Sequence, residues 1–277
     1  MAPLPALRVE PFALAGWSAT RRVRLLAPAG PARPLRLRAG GAEVVAVPGR
    51  FSVSYLLVGA AQLVLVDAGS IADVDLIGAA AAALGRPIAH VVPTHLHFDH
   101  VFGVDAIASR SHATLLLGRR ASELVATRPP GPAPDARQVA IFLRTWAWQG
   151  LPWLKPGEVK LALQRRVLVN CCQFATASGA PLDDGAPLPG VDGWRVLATP
   201  GHSDDSICLY HGASGLLVAG DTVRNFCGGE WNEITFDRAR YRQTIATLRS
   251  LPIQAILPGH GPLLVGARVI ERLSGSP

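Results

Sequence analysis

Hydrophobic positions along the chain keep two rhythms in turn. Residues 42–47 and 52–58 alternate or run with β-branched side chains on either side of Pro48-Gly49-Arg50, which predicts a β-hairpin. A third apolar run, 62–66, ends at Asp67-Ala68-Gly69, and a fourth, 88–92, ends at Pro93. Between them, residues 73–84 are rich in alanine and close on Gly85, the pattern of a helix with a glycine stop. Residues 101–125 read as helix, short strand, helix. The closing part resumes the same grammar, with strands at 194–198, 206–210, 216–219 and 253–257 and a helix at 237–251.

The two parts parallel one another. Pro87-Ile88-Ala89-His90-Val91-Val92-Pro93-Thr94-His95 matches Pro252-Ile253-Gln254-Ala255-Ile256-Leu257-Pro258-Gly259-His260 in order and type. Leu65-Val66-Asp67-Ala68-Gly69 likewise parallels Val218-Ala219-Gly220-Asp221-Thr222. In each half a strand ends on Asp, a helix follows, and a second strand delivers His. This predicts an α/β fold of two related βα halves, packed sheet to sheet with helices outside and a site at the shared strand ends. Residues 1–40 read as a loosely ordered N-terminal extension, and 41–277 as one domain. The run Arg128-Pro129-Pro130-Gly131-Pro132-Ala133-Pro134 opens an insertion at about 127–190, with an expected helix at 135–149.

A hydrophobic fraction of 49% with 17% charged residues fits a chain with a substantial core and excludes a disordered one. No apolar run reaches membrane-spanning length. The N-terminal apolar stretches precede Arg21-Arg22 instead of following a basic segment, and what comes next is broken by Pro and Arg, so a cytoplasmic location is expected. The net charge of +7 is carried almost wholly by arginine, without a dense basic run interleaved with aromatics. A small-molecule substrate is therefore expected, not nucleic acid or membrane, and a homodimer stays open. The four cysteines lack metal or redox spacing and are expected as small buried apolar residues, with Cys227 standing close to a functional motif.

Chemistry concentrates in Thr94-His95-Leu96-His97-Phe98-Asp99-His100, where three of the eight histidines and a carboxylate fall within six residues after an apolar strand. Imidazole and carboxylate together suit Zn, Mn or Fe(II). Pro200-Gly201-His202-Ser203, Gly220-Asp221-Thr222 and Pro258-Gly259-His260-Gly261 each follow a strand as well. Singly these are weak signals; their joint order is the informative one.

That order resembles the metallo-β-lactamase superfamily across residues 41–265. The resemblance implies a four-layer αββα sandwich and two divalent metal ions, zinc first and iron or manganese as alternatives. It puts His95, His97 and His202 on the first ion and Asp99, His100 and His260 on the second. Asp221 bridges the two, and Asp67 supports the ligand loop without binding metal. It further implies a hydrolase of the glyoxalase II or lactonase-like branch, using a metal-held hydroxide on an ester, thioester or lactone, with Asp99 and Asp221 as its catalytic carboxylates. An iron persulfide dioxygenase on the same fold, and β-lactamase or phosphodiesterase activity, are the alternatives. Little chain follows His260, so the helical domain by which glyoxalase II holds glutathione is not expected. Arg224 is a candidate for a substrate carboxylate or phosphate. Trp146, Trp148 and Trp153 in the insertion are candidates for an apolar wall over the metals. His90, His112 and His211 are given no role.

Overall fold

A computed structural model describes residues 3–17, 33–127, 154–165, 169–226 and 228–275, with isolated helical positions Ala136, Val139, Ala140 and Leu143. Trp146, Trp148, Trp153, Cys227 and most of the helix expected at 135–149 lie outside these residues.

Seven strands form a first sheet in chain order: β1 (Arg8–Pro11), β2 (Leu35–Ala39), β3 (Ala42–Pro48), β4 (Val53–Val58), β5 (Leu63–Val66), β6 (Ile88–Val92) and β7 (Thr114–Leu115). Pairing is antiparallel as far as β5 and parallel from β5 to β7. The parallel crossover from β5 to β6 is made by α1 (Val74–Leu84), stopped by Gly85 in the left-handed conformation at φ 65°. Beyond β6 come α2 (Phe98–Val101), α3 (Val104–Ser111), α4 (Arg119–Thr127) and α5 (Pro156–Gln164). The second sheet uses β8 (Trp194–Ala198), β9 (Ile207–His211) and β10 (Leu216–Gly220). A small ribbon follows, β11 (Val223–Arg224) with β12 (Glu230–Trp231), and then α6 (Arg238–Arg249). β13 (Ala255–Pro258) and β14 (Leu264–Val265) complete the second sheet in the order β14-β13-β10-β9-β8.

Strand alternation explains the layering. Side chains of successive strand residues point to opposite faces. Val45, Val47, Leu63 and Leu65 therefore pack outward against Ile77 and Ala80 of α1 and Val104 and Ile107 of α3. Their neighbours Val44, Ala46, Val64 and Val66 pack inward against Val196, Leu209, Val218 and Leu257 of the second sheet. The far face of that sheet, with Leu217, Ala219 and Ile256, meets Tyr241, Ile245 and Leu248 of α6. The result is α, β, β, α. Strands covered on both faces read as continuous apolar runs, which is why β5, β6, β10 and β13 are so plain in the sequence.

One expectation needs correction. The stretch 1–40 is not loosely ordered throughout, because Arg8–Pro11 and Leu35–Ala39 are strands of the first sheet. All four residues of β1 are exposed, so it carries no apolar signature. The described residues 169–190 of the insertion share the main core. Cys171 packs in the outer layer, and Leu182 and Leu188 lie between the sheets. Among the described residues no helix is long and apolar enough to cross a membrane.

β5, β6, β8, β10 and β13 all end on one rim, and each is followed within four residues by a histidine or aspartate singled out above. The rim beyond the carboxyl ends of the strands is where α/β sheets place ligands.

Candidate metal centre

On that rim seven side chains converge in three overlapping groups: His95 with His97 and His202; His95 with His100 and Asp221; Asp99 with His100 and His260. Within each group the ligand atoms lie within 4.8 Å of one another, so each group could hold a metal ion. His95 and His97 stand in the loop after β6, Asp99 and His100 on α2, His202 after β8, Asp221 after β10 and His260 after β13. Residues from both halves of the chain thus share one cluster.

Asp221 spans it. Oδ1 lies 3.2 Å from His100 Nε2 and 3.3 Å from His260 Nε2, while Oδ2 lies 3.6 Å from His202 Nε2. Elsewhere in the cluster nitrogen faces nitrogen. His202 Nε2 and His97 Nδ1 are 3.1 Å apart, and His100 Nε2 and His260 Nε2 are 3.3 Å apart. His260 Nε2 also lies 3.3 Å from Asp99 Oδ2.

Groups around the cluster fix which nitrogen carries the proton. His100 Nδ1 sits 2.8 Å from Asp67 Oδ2 and donates to it, which turns the Nε2 lone pair toward the cluster. His202 Nδ1 donates to the Ile234 carbonyl at 2.8 Å, with the same effect on its Nε2. Asp67 also accepts from Thr94 N at 2.7 Å and Thr94 Oγ1 at 2.9 Å. Its φ of 59° is uncommon for a residue with a side chain, and these three bonds hold it there.

The electrostatics divide the histidines. Burial, reinforced by neighbouring imidazoles, holds His95 well below the usual histidine range, and burial brings His97 down to about 3. His202 is lowered chiefly by burial. These three are neutral donors at physiological pH, the form a metal needs. Burial also opposes protonation of His100 and His260, yet it is outweighed by carboxylates. Asp67 and Asp221 raise His100 well above its ordinary value, and Asp221 and Asp99 push His260 up to about 9. Burial works against ionisation of Asp99, but the hydrogen bond from His260 and the charges of His100 and His260 bring it down to about 2. The cluster therefore demands positive charge between its carboxylates.

A divalent cation fits that demand. His95 Nε2 is buried and makes no hydrogen bond among the described residues. A buried polar atom without a partner is rare in folded proteins, and this one belongs to a group of imidazole and carboxylate donors suited to a metal ion.

Several supporting residues escaped the sequence reading. Asp205 Oδ2 accepts from Leu96 N at 2.8 Å, midway between His95 and His97. Ser52 Oγ donates to the Asp99 carbonyl at 2.7 Å, and Tyr55 Oη donates to the Pro258 carbonyl at 2.7 Å beneath His260. None of the three belongs to a recognisable ligand pattern, and the second aspartate in Asp204-Asp205 is the nearest thing to a signal. Arg224, expected to meet a substrate anion, is 3% exposed and pairs across the ribbon with Glu230 at 3.1 Å. Its guanidinium lies over the Phe226 ring at 5.2 Å. That arginine is committed to the fold. Of the remaining histidines, His90 lies on β6, His112 caps α3 in the left-handed conformation, and His211 is bonded through Nδ1 to Ser214 Oγ at 2.7 Å.

Two sheets packed between helices, with a nest of histidines and aspartates on their common rim, define an αββα scaffold built around a candidate metal centre. The chain belongs to the metallo-beta-lactamase superfamily, whose family model matches residues 47–169 and 177–260. Members of this superfamily are mostly metal-dependent hydrolases. The chain is similar to the probable metallo-hydrolase YqjP of Bacillus subtilis, 25% identical over 196 residues that cover 67% of this chain and 58% of that protein. It is also similar to a beta-lactamase-like protein 2 homolog of Caenorhabditis elegans, 24% identical over 233 residues, 82% of this chain and 62% of that one. The chain thus spans about three fifths of the length of these two relatives. In fold it resembles the BLEG-1 B3 metallo-beta-lactamase, with a TM-score of 0.58 at 19% identity, over 82% of this chain and 95% of that one.

Proposed function

We propose that this chain is a dinuclear metal-dependent hydrolase acting on an ester, thioester or lactone. The observation that carries the reading is the convergence of seven donor side chains with Asp221 directing one oxygen toward each half of the cluster. His95, His97 and His202 would hold the first ion and Asp99, His100 and His260 the second, with Asp221 between them. When bound, such ions supply Lewis acidity and bring the pKa of coordinated water toward neutrality.

The chain's own residues do the rest. His95, His97 and His202 offer neutral nitrogens because burial keeps protons off them. Asp67 and the Ile234 carbonyl keep His100 and His202 turned with the correct nitrogen inward. Asp99, held at about 2, stays ionised and so adds charge more readily than it gives a proton. A leaving group that needs little protonation suits such a site best. A thiolate qualifies, since thiol pKa is about 8.5. Thioesters are therefore the first class to test.

The experiment pairs elemental analysis of protein purified without added metal with a panel of thioesters, lactones, β-lactams and phosphodiesters. Thioester or lactone turnover with about two ions per chain supports the proposal. One iron per chain with oxygen uptake on a persulfide would replace it by a dioxygenase, and a chain that binds no metal would end it.

A further inference from the structure

Asn232 lies just beyond β12 and outside every recognised motif, yet it is 2% exposed and fully engaged. Its Nδ2 donates to the Asp221 carbonyl at 2.9 Å. Its Oδ1 accepts from Ile234 N at 3.0 Å. The carbonyl of that same Ile234 accepts from His202 Nδ1 at 2.8 Å. A single amide head thus ties the backbone of Asp221 to the backbone group that orients His202. Asn232 is itself anchored, because its N–H donates to Tyr241 Oη at 2.8 Å, and that hydroxyl donates to the Thr222 carbonyl at 2.5 Å.

We propose that Asn232 is a positioning residue for the metal centre, coupling Asp221 to His202 through its side-chain amide. The inference rests on the reading of the cluster as a metal site and adds to it. The chemistry is specific to this side chain. A primary amide presents a donor and an acceptor on one planar head, whereas a carboxylate lacks the donor and an apolar isostere lacks both. Without the donor, the Asp221 carbonyl faces a like-charged oxygen. The loop carrying Asp221 is then free to shift relative to Ile234 and His202. Asp221 and His202 meet at 3.6 Å inside the cluster, so a shift of either changes how an ion would be held between them. Partners of metal-ligating histidines typically matter by 10–100-fold in metal affinity.

The test titrates Zn2+ into metal-free full-length protein against a competing chelator, and records the visible spectrum of the Co2+-loaded form. Three variants are compared. Asn232→Asp keeps the size and the acceptor but loses the donor, and Asn232→Ser is read in parallel should the aspartate disturb folding. Leu248→Ala truncates a fully buried leucine of α6 that takes no part in the amide relay, and so reports the effect of general loosening. The expected result is a loss of about 10–100-fold in affinity for at least one ion in both Asn232 variants, with an altered cobalt spectrum. Leu248→Ala should lower the melting temperature and keep wild-type affinity. Wild-type affinity in the Asn232 variants, or an equal loss in Leu248→Ala at matched melting temperature, overturns the coupling alone. A wild-type chain that binds neither ion overturns the metal-centre reading as well.

Discussion

Gly259 governs how closely the two halves of the molecule meet at the cluster. A methyl group there would stand 2.6 Å from His100 Cε1 and 2.7 Å from Asp221 Oδ1, with the Gly220 backbone 3.2 Å away. Neither side chain is the free end of a long surface residue, so one must be displaced. Gly259→Ala is expected to weaken metal binding about 10–100-fold while the fold persists. Zinc titration monitored beside circular dichroism checks this, and wild-type affinity would count against the geometry. Asp205 makes a different kind of prediction. Burial pushes its carboxyl up to about 6, against hydrogen bonds from Ser203 and Leu96 that pull the other way. An unfolded aspartate titrates near 4, so between about pH 4 and 6 the folded chain holds a proton that the unfolded chain lacks. Stability from this group is complete below the unfolded value and is lost as pH rises through about 6. Asp205→Asn retains an acceptor for Leu96 N–H and removes the titration. Measured by denaturant in the presence of chelator, wild type should gain on the variant as pH falls from 7 to 4.5, by on the order of 2 kcal/mol. A constant difference would contradict it.

At the level of elements, α5 is attached by one buried acid. Glu158 is 1% exposed, takes hydrogen bonds from Ser70 Oγ and, at 2.8 Å, from Lys155 N, and lies 3.8 Å from the Arg50 guanidinium. Glu158→Ala strips an acceptor from both donors at about 1–3 kcal/mol. Hydrogen exchange across residues 156–164 should speed up, and unchanged protection would show that other contacts secure the helix. The chain spells out some elements better than others. The strands that end on the rim keep short apolar runs, so 88–92 coincides with β6 and 194–198 with β8, even though β8 exposes Arg195. β1 is exposed at every residue and gives no such signal. β2 did offer one, since Leu35, Leu37 and Ala39 alternate with Arg36 and Arg38, and only its place in an arginine-rich leader hid it. α5 was signalled by Pro156 at its first turn with Glu158 two residues on, masked by the Pro/Gly-rich setting. The cluster residues were legible because histidine and aspartate recur just after strands. Asn232 and Asp205 were not, because each matters only through backbone groups that the fold brings to it.

For the molecule as a whole, the site is a seam between two halves. Val53 N donates to the Gly259 carbonyl at 2.9 Å, Ile207 N to the Thr94 carbonyl at 2.8 Å, and Tyr55 Oη to Pro258, each bond crossing from one sheet to the other. The cluster itself crosses the same seam, with His95, His97, Asp99 and His100 from one half and His202, Asp221 and His260 from the other. An ion held there would join the halves as well as serve chemistry, and would raise stability by about 2.7 kcal/mol at a hundred times its dissociation constant. Chelation should therefore lower the melting temperature, an effect that disappears if the ions bind elsewhere or not at all. The most direct test is elemental analysis of the purified chain beside Asp221→Ala. The account predicts about two ions per wild-type chain and loss of metal together with activity in the variant. A wild type without metal, or an Asp221→Ala chain that keeps both its ions and its activity, would contradict it.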